Sequence, residues 1–175
     1  MAALIFLAQT LLSLCMIGVL LRLLLQWARA DFRNPLARSI VHITNPIIVP
    51  LRRLLPAVGR LDTASCLAVL VFAALEVAVY WLLTGQGLPP ALIWLQLTGL
   101  EILRTTLWTY FLAILLYALL SFVAPGTYSP AQGLLVALCE PILRPFRRLI
   151  PPLGGIDFSA MWALIFIQML LIAVR

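Results

Sequence analysis

The sequence predicts an all-α membrane protein with four transmembrane helices in two parallel repeats, each with amphipathic interfacial helices between its two spans. Three observations lead to this fold class. Hydrophobic residues make up 64% of the chain and charged residues only 10%, whereas soluble domains are about 25% charged. Four long stretches are almost free of charge. In addition, one basic, proline-rich segment is written twice, which indicates two copies of one unit.

The four apolar stretches are residues 3–21, 63–83, 105–124 and 158–174. About 20 apolar residues cross the hydrocarbon core, and backbone groups in lipid must bond to one another, so each stretch is predicted to be a spanning helix. The first helix should extend to Trp27, with Arg22 reaching headgroup level. Residues 84–90 form a turn. Residues 91–104 either form an interfacial helix or lengthen the start of the third span, and the sequence leaves both open.

The repeat places residues 34–62 over residues 129–157 without a gap, and 11 of these 29 positions are identical. We therefore divide the chain into a first repeat at 1–85, a connecting segment at 86–104 and a second repeat at 105–175. The residues that define the motif are Pro46, Pro50, Pro56, Gly59 and Asp62 in one copy and Pro141, Pro145, Pro151, Gly154 and Asp157 in the other.

Between the spans of each repeat we expect two short amphipathic helices. In the first copy, Asn34-Pro35 and Asn45-Pro46 each resemble an N-cap followed by proline, and Pro50 should kink or delay the second helix. Apolar residues share one arc and arginines the other, which is typical of helices in the membrane interface with arginines toward lipid phosphates. The alternative is a short loop whose charges only set orientation. The candidate lipid- or partner-binding residues are Arg52, Arg53, Arg144, Arg147 and Arg148.

Asp62 and Asp157 each precede a predicted span. We expect both to cap the helix that follows, although pairing with the preceding Arg-Arg is compatible with this role.

The net charge of +6 comes from arginine alone, because the chain has no lysine. Ten of the 12 arginines lie in or beside the two segments between paired spans. This distribution is typical of topology determinants and argues against nucleic-acid binding. The positive-inside rule places both basic segments in the cytoplasm and both termini in the periplasm, without a cleaved signal peptide. The partners that we expect are the bilayer and its anionic phospholipids, with a membrane-protein partner or a second copy as further options.

No arrangement of residues suggests catalysis or a bound cofactor. The three cysteines, Cys15, Cys66 and Cys139, are scattered, and His42 is the single histidine. Neither a metal-ligand cluster nor a nucleophile paired with a base is evident. We therefore expect a protein that is not an enzyme and that binds neither a metal nor a cofactor.

Glu76 is the one charged residue inside the four stretches. An intramembrane carboxyl is costly unless it is paired or protonated. We expect it to join a polar layer with Gln9, Thr109, Tyr110 or Gln168, which fall at similar depth. The alternative is a protonated side chain that fills a helix interface.

The doubled element resembles the YggT family of small bacterial inner-membrane proteins. The first copy supplies Arg22, Trp27, Asn34-Pro35, Thr44-Asn45-Pro46, Pro50, Arg52-Arg53, Pro56, Gly59 and Asp62. The second copy supplies Ser121-Phe122, Ser129-Pro130, Cys139-Glu140-Pro141, Pro145, Arg147-Arg148, Pro151, Gly154 and Asp157. The resemblance implies an integral membrane protein whose relatives are linked to osmotic tolerance, membrane-complex assembly and cell or plastid division.

Two functions follow as hypotheses. The first is a non-enzymatic inner-membrane scaffold, assembly or stress-related protein whose arginine-rich elements contact anionic lipid or a partner. The alternative is a small channel or transporter in osmotic ion homeostasis that uses the polar layer around Glu76.

Overall fold

A computed structural model describes residues 2–55, 62–123, 129–149 and 158–174. Within these ranges the chain forms α1 (Ala2–Trp27), α2 (Pro35–Leu54), α3 (Thr63–Leu83), α4 (Ala91–Val123), α5 (Pro130–Leu149) and α6 (Phe158–Ala173). The part of the chain that the structure describes is helical and contains no strand. The all-α prediction is therefore confirmed.

Three of the described helices are long and apolar enough to cross a membrane. They cover Ala3–Trp27, Thr63–Leu83 and Ala91–Val123. Helix α6 is also apolar but has only 16 residues. These helices indicate a membrane protein. The predicted count of four spans stays a prediction, because it requires α6 to be the fourth span.

Helix α4 decides the question about residues 91–104. It runs without interruption for 33 residues, so this segment lengthens the predicted third span and does not form a separate helix. At 1.5 Å per residue the helix is roughly 50 Å long, well beyond the roughly 30 Å of the hydrocarbon core. A helix of this length tilts or projects from the bilayer.

The prediction of two short helices in each basic segment is wrong. Helices α2 and α5 are each continuous over 20 residues, with Pro46 and Pro50 inside one and Pro141 and Pro145 inside the other. Each proline removes a helical hydrogen bond. In α2 both prolines lie on the exposed side, while a buried stripe on the other side extends along the helix. Packing of that stripe offsets the lost hydrogen bonds, so the helix continues.

The starts of α2 and α5 follow sequence rules. Asn34 Oδ1 accepts a hydrogen bond from the backbone N–H of Leu36 at 2.9 Å, which confirms the predicted Asn-Pro start. Ser129 Oγ accepts one from the N–H of Gln132 at 3.2 Å. Turns close the C-termini of α1 and α3. Arg29 (φ 54°) and Gly85 (φ 76°) both adopt the left-handed conformation that ends a helix, although only glycine does so without strain.

The chain divides into two compact units. The first comprises Met1–Leu23 and Ile40–Thr106, and the second comprises Leu24–Ser39 and Leu107–Arg175. They do not follow the predicted repeat boundaries, because the start of α2 belongs to the second unit. There, Asn34 Nδ2 donates to the carbonyl oxygen of Pro130 at 2.6 Å. The boundaries of the repeats therefore remain a prediction from the sequence.

Each unit has its own apolar core. In the first unit, Met16 and Val19 of α1, Ile48 of α2 and the small residues Ala64 and Ala68 of α3 are buried. In the second unit, the rings of Phe146 and Phe166 lie 6.0 Å apart between α5 and α6. The buried residues of this core include Ile114, Leu138, Leu143, Ala160, Ala163 and Ile167.

Candidate functional site

The candidate site begins with the faces of α2. Ala37, Thr44 and Ile48 recur along one side and are buried, whereas Arg38, His42 and Arg53 are exposed. Leu36 and Ile43 are exposed as well, at 41% and 72%. The apolar arc of α2 is thus wider than its buried strip. The remaining apolar edge is available to a nonpolar environment such as lipid.

A polar cluster lies where α1, α2 and the start of α3 meet in the first unit. We call it the first cluster, and its members are Arg22, Thr44, Asn45, Arg52, Asp62 and Ser65. The Arg22 side chain is only 5% exposed. Its Nη1 donates to Thr44 Oγ1 at 3.0 Å and to Asn45 Oδ1 at 2.9 Å. Arg22 was expected only to reach the headgroups, but it holds α1 against α2.

Asp62 is the anion of the first cluster. Its side chain is 1% exposed. It accepts from Arg52 Nη2 at 2.5 Å, from Arg52 Nε at 3.2 Å and from Ser65 Oγ at 2.8 Å. Arg22 Nε lies 3.8 Å from Asp62 Oδ2. One carboxylate thereby meets two guanidinium groups and one hydroxyl group.

These contacts decide the role of Asp62. Asp62 precedes α3, but its side chain makes no capping hydrogen bond. The predicted cap is therefore wrong. The alternative, pairing with the preceding arginines, is the one that the structure shows. A bidentate guanidinium contact supplies two charge-assisted hydrogen bonds in a fixed geometry, whereas a cap supplies a single bond from a backbone N–H. Burial raises the pKa of Asp62, but hydrogen bonds from Arg52 and Ser65 and the charges of Arg52 and Arg22 outweigh it. The pKa therefore lies below its ordinary value.

A second cluster occupies the corresponding positions of the second repeat, inside the second unit. It comprises Tyr117, Glu140 and Arg147, which lie 95 residues after Arg22, Asn45 and Arg52. Arg147 Nη1 donates to Glu140 Oε2 at 2.7 Å, and Nη2 donates to the Tyr117 hydroxyl at 2.7 Å. The guanidinium carbon also lies 5.8 Å from the centre of the Tyr117 ring. Asp157, the counterpart of Asp62, lies outside the described residues.

The predicted lipid-contact arginines separate into two groups. Arg53, Arg144 and Arg148 are exposed. Arg147 is engaged in the second cluster, and Arg52 both pairs with Asp62 and keeps 44% of its side chain exposed. The motif residues Pro56, Gly59, Pro151 and Gly154 lie outside the described ranges.

Glu76 is 8% exposed, and its partner is Ser13 of α1, whose hydroxyl group donates to Glu76 Oε1. Ser13 was missed, although it lies on the same helix face as the predicted Gln9, four residues earlier. The Tyr110 hydroxyl is buried and has no hydrogen-bond partner among the described residues. Thr109, Tyr110 and Gln168 belong to the second unit and Glu76 to the first, so the polar layer stays a prediction. Gln168 is exposed.

Sequence comparison identifies the family of this chain. The sequence profile of the CCB3/YggT family matches residues 1–83 and residues 97–175. The chain belongs to the CCB3/YggT family. The two matched segments agree with the two YggT repeats expected from the sequence, and each contains one of the two clusters. No solved structure gives a significant match.

Several bacterial proteins are similar to this chain over most of their length. The uncharacterized protein YggT of Escherichia coli K12 is 41% identical over 162 residues, covering 92% of this chain and 83% of that protein. An uncharacterized protein of Pseudomonas aeruginosa is 40% identical over 171 residues, covering 96% and 86%. One of Vibrio alginolyticus is 38% identical over 164 residues, covering 93% and 88%.

Proposed function

We propose that this YggT-family protein is a non-enzymatic scaffold of the bacterial inner membrane whose exposed arginines bind anionic phospholipid headgroups. The observation that carries the proposal is the equivalence of α2 and α5. Both have 20 residues, bury corresponding positions such as Ile48 and Leu143, and end in an Arg-Arg pair. Both helices also carry exposed arginines, Arg38 and Arg53 in α2 and Arg144 and Arg148 in α5.

Lipid contact follows from the chemistry of these exposed side chains. Guanidinium groups bind phosphate oxygens in a bidentate geometry, and each cation near an anionic leaflet contributes about 1 kcal/mol. The exposed edge of α2, with Ile43 at 72% and Leu36 at 41%, suits the boundary between headgroups and acyl chains. The first cluster links α2 to α1 and the second links α5 to α4, and so they hold the neighbouring arginines in place.

In this proposal the chain has four spans, with α6 as the fourth, and its repeats are parallel. Both arginine-bearing helices then lie on the cytoplasmic face and both termini in the periplasm. The arginine distribution supports this topology. Cysteines introduced at Ser39 and Arg148 should both react with an impermeant reagent from the cytoplasmic side. Labelling from opposite sides would refute the parallel arrangement.

The lipid contact is tested with a triple variant, Arg53→Ala, Arg144→Ala and Arg148→Ala. The purified chain is placed in vesicles of phosphatidylcholine with or without phosphatidylglycerol, and its thermal stability is followed. We expect phosphatidylglycerol to stabilise the wild type. The triple variant should lose roughly 3 kcal/mol of that stabilisation, about 1 for each arginine.

Arg104→Ala is the matched control, because Arg104 is also exposed but lies on α4, outside the two basic helices. It should retain the response to phosphatidylglycerol. The proposal fails if the triple variant responds like the wild type, or if the control loses as much stabilisation as the triple variant.

A further inference from the structure

Glu76 lies within α3, a candidate membrane span, and its carboxyl group is buried in the first unit. The two oxygens of this carboxyl have different surroundings. Oε1 accepts a hydrogen bond from the Ser13 hydroxyl of α1. Oε2 is buried and has no hydrogen-bond partner among the described residues.

This asymmetry distinguishes a carboxylic acid from a carboxylate. A carboxylate presents two equivalent acceptor oxygens, and each of them requires donors when it is buried. A carboxylic acid presents one carbonyl oxygen, which accepts, and one hydroxyl oxygen, which carries the proton. A donor at Oε1 and none at Oε2 is the pattern expected for an acid protonated on Oε2.

The neighbours of Glu76 do not supply a dedicated counter-ion. On α1 the contacting group is the neutral hydroxyl of Ser13. On α4, Trp94 directs its indole N–H to the carbonyl oxygen of Ala74 at 3.0 Å, two residues before Glu76. The charged groups whose fields reach Glu76 are Glu101 and Arg104 of α4, which act in opposite directions.

The energetic comparison favours the neutral form. An ionised carboxylate in a membrane span is costly unless it is paired. A neutral hydroxyl without a partner costs less than an unpaired charge. The larger penalty therefore falls on the ionised state.

We propose that Glu76 and Ser13 form a proton-binding site, in which Glu76 Oε2 holds the proton and Oε1 accepts the hydrogen bond from Ser13. The site belongs to the first repeat alone, because Leu171 and Trp108 occupy the corresponding positions of the second repeat. It is independent of the lipid contacts of α2 and α5, so either proposal can fail while the other stands.

Infrared spectroscopy of the full chain in vesicles tests the site. The wild type at pH 7 should show the carbonyl stretch of a protonated carboxylic acid, and Glu76→Gln should lack it. Glu140→Gln is the control, since Glu140 pairs with Arg147 on α5 in the second unit, and it should keep the band. The absence of a Glu76-dependent band at pH 7 would overturn the proposal.

Ser13→Ala provides a second measurement that does not require replacing Glu76. Removing this donor takes away a hydrogen bond that stabilises the ionised form more than the neutral form. The band should therefore persist to higher pH than in the wild type. A band that disappears at the same or a lower pH would contradict the role of Ser13, and a merely structural serine would leave the profile unchanged.

Discussion

The two clusters occupy the same positions of the two repeats but distribute their charge differently. In the first cluster the charged Arg22 donates to the neutral Asn45. In the second cluster the corresponding residues are the neutral Tyr117 and the acidic Glu140, and both accept hydrogen bonds from Arg147. Both clusters have an arginine at the third position, Arg52 in the first and Arg147 in the second. A polar link between the first helix of a repeat and its basic helix can thus be built with either charge pattern.

The clusters also differ in burial. The Arg22 and Asp62 side chains are 5% and 1% exposed, whereas Arg147 and Glu140 are 32% and 41% exposed. Electrostatic interactions weaken with solvent exposure. The first cluster should therefore contribute more to stability, and its loss should be felt more strongly than that of the second.

The largest effect is expected for Arg22→Ala. It removes the donor to Thr44 and Asn45 and leaves Asp62 with one guanidinium partner fewer. Breaking a buried, charged network costs roughly 3–5 kcal/mol. The measurement is the free energy of unfolding in detergent or vesicles, followed by thermal or denaturant titration.

Tyr117→Phe is the matched change in the second cluster, because Tyr117 occupies the position of Arg22. It deletes one hydroxyl group that accepts from Arg147, and the half-exposed guanidinium can turn to water. The expected loss is about 1 kcal/mol. If Tyr117→Phe were as destabilising as Arg22→Ala, burial would not explain a difference between the two clusters in their contribution to stability.

In the first cluster, a smaller effect than that of Arg22→Ala is expected for Asp62→Asn, which keeps the shape of the side chain but removes its charge. We expect a loss of roughly 2–3 kcal/mol at pH 7, since hydrogen bonds between charged groups are the stronger ones. The matched variant Glu140→Gln, at a more exposed ion pair, should lose less than about 1 kcal/mol.

The Asp62 contribution should also depend on pH. Its pKa is lower in the folded chain than the ordinary value near 4. The stability that it supplies is complete above that ordinary value and is lost as the pH falls through the folded-state pKa. The wild type should therefore lose its advantage over Asp62→Asn below about pH 4. A constant difference between the two proteins down to pH 2 would show that the carboxylate is not the stabilising species.

Much of the helical structure could be predicted from local signals. The bounds of α3 match the predicted span, and the Asn34-Pro35 signal places the start of α2 correctly. The helix break predicted at Asn45-Pro46 does not occur, because a proline inside a helix costs only a few kcal/mol. Burial of a stripe that runs from Ala37 to Ile48 outweighs that cost. Rules based on neighbouring residues do not predict this burial, because it depends on packing against other helices.

The sequence by itself determined the class of the chain: a doubled, apolar, helical unit with arginines gathered in its basic segments. These properties reside in composition, in periodicity and in an offset that can be counted along the chain. Only the tertiary structure decided which polar groups meet. Arg22 and Asp62 are 40 residues apart, and Ser13 and Glu76 are on different helices. Such contacts arise when helices pack, because the rotation and depth of each helix are set by its neighbours.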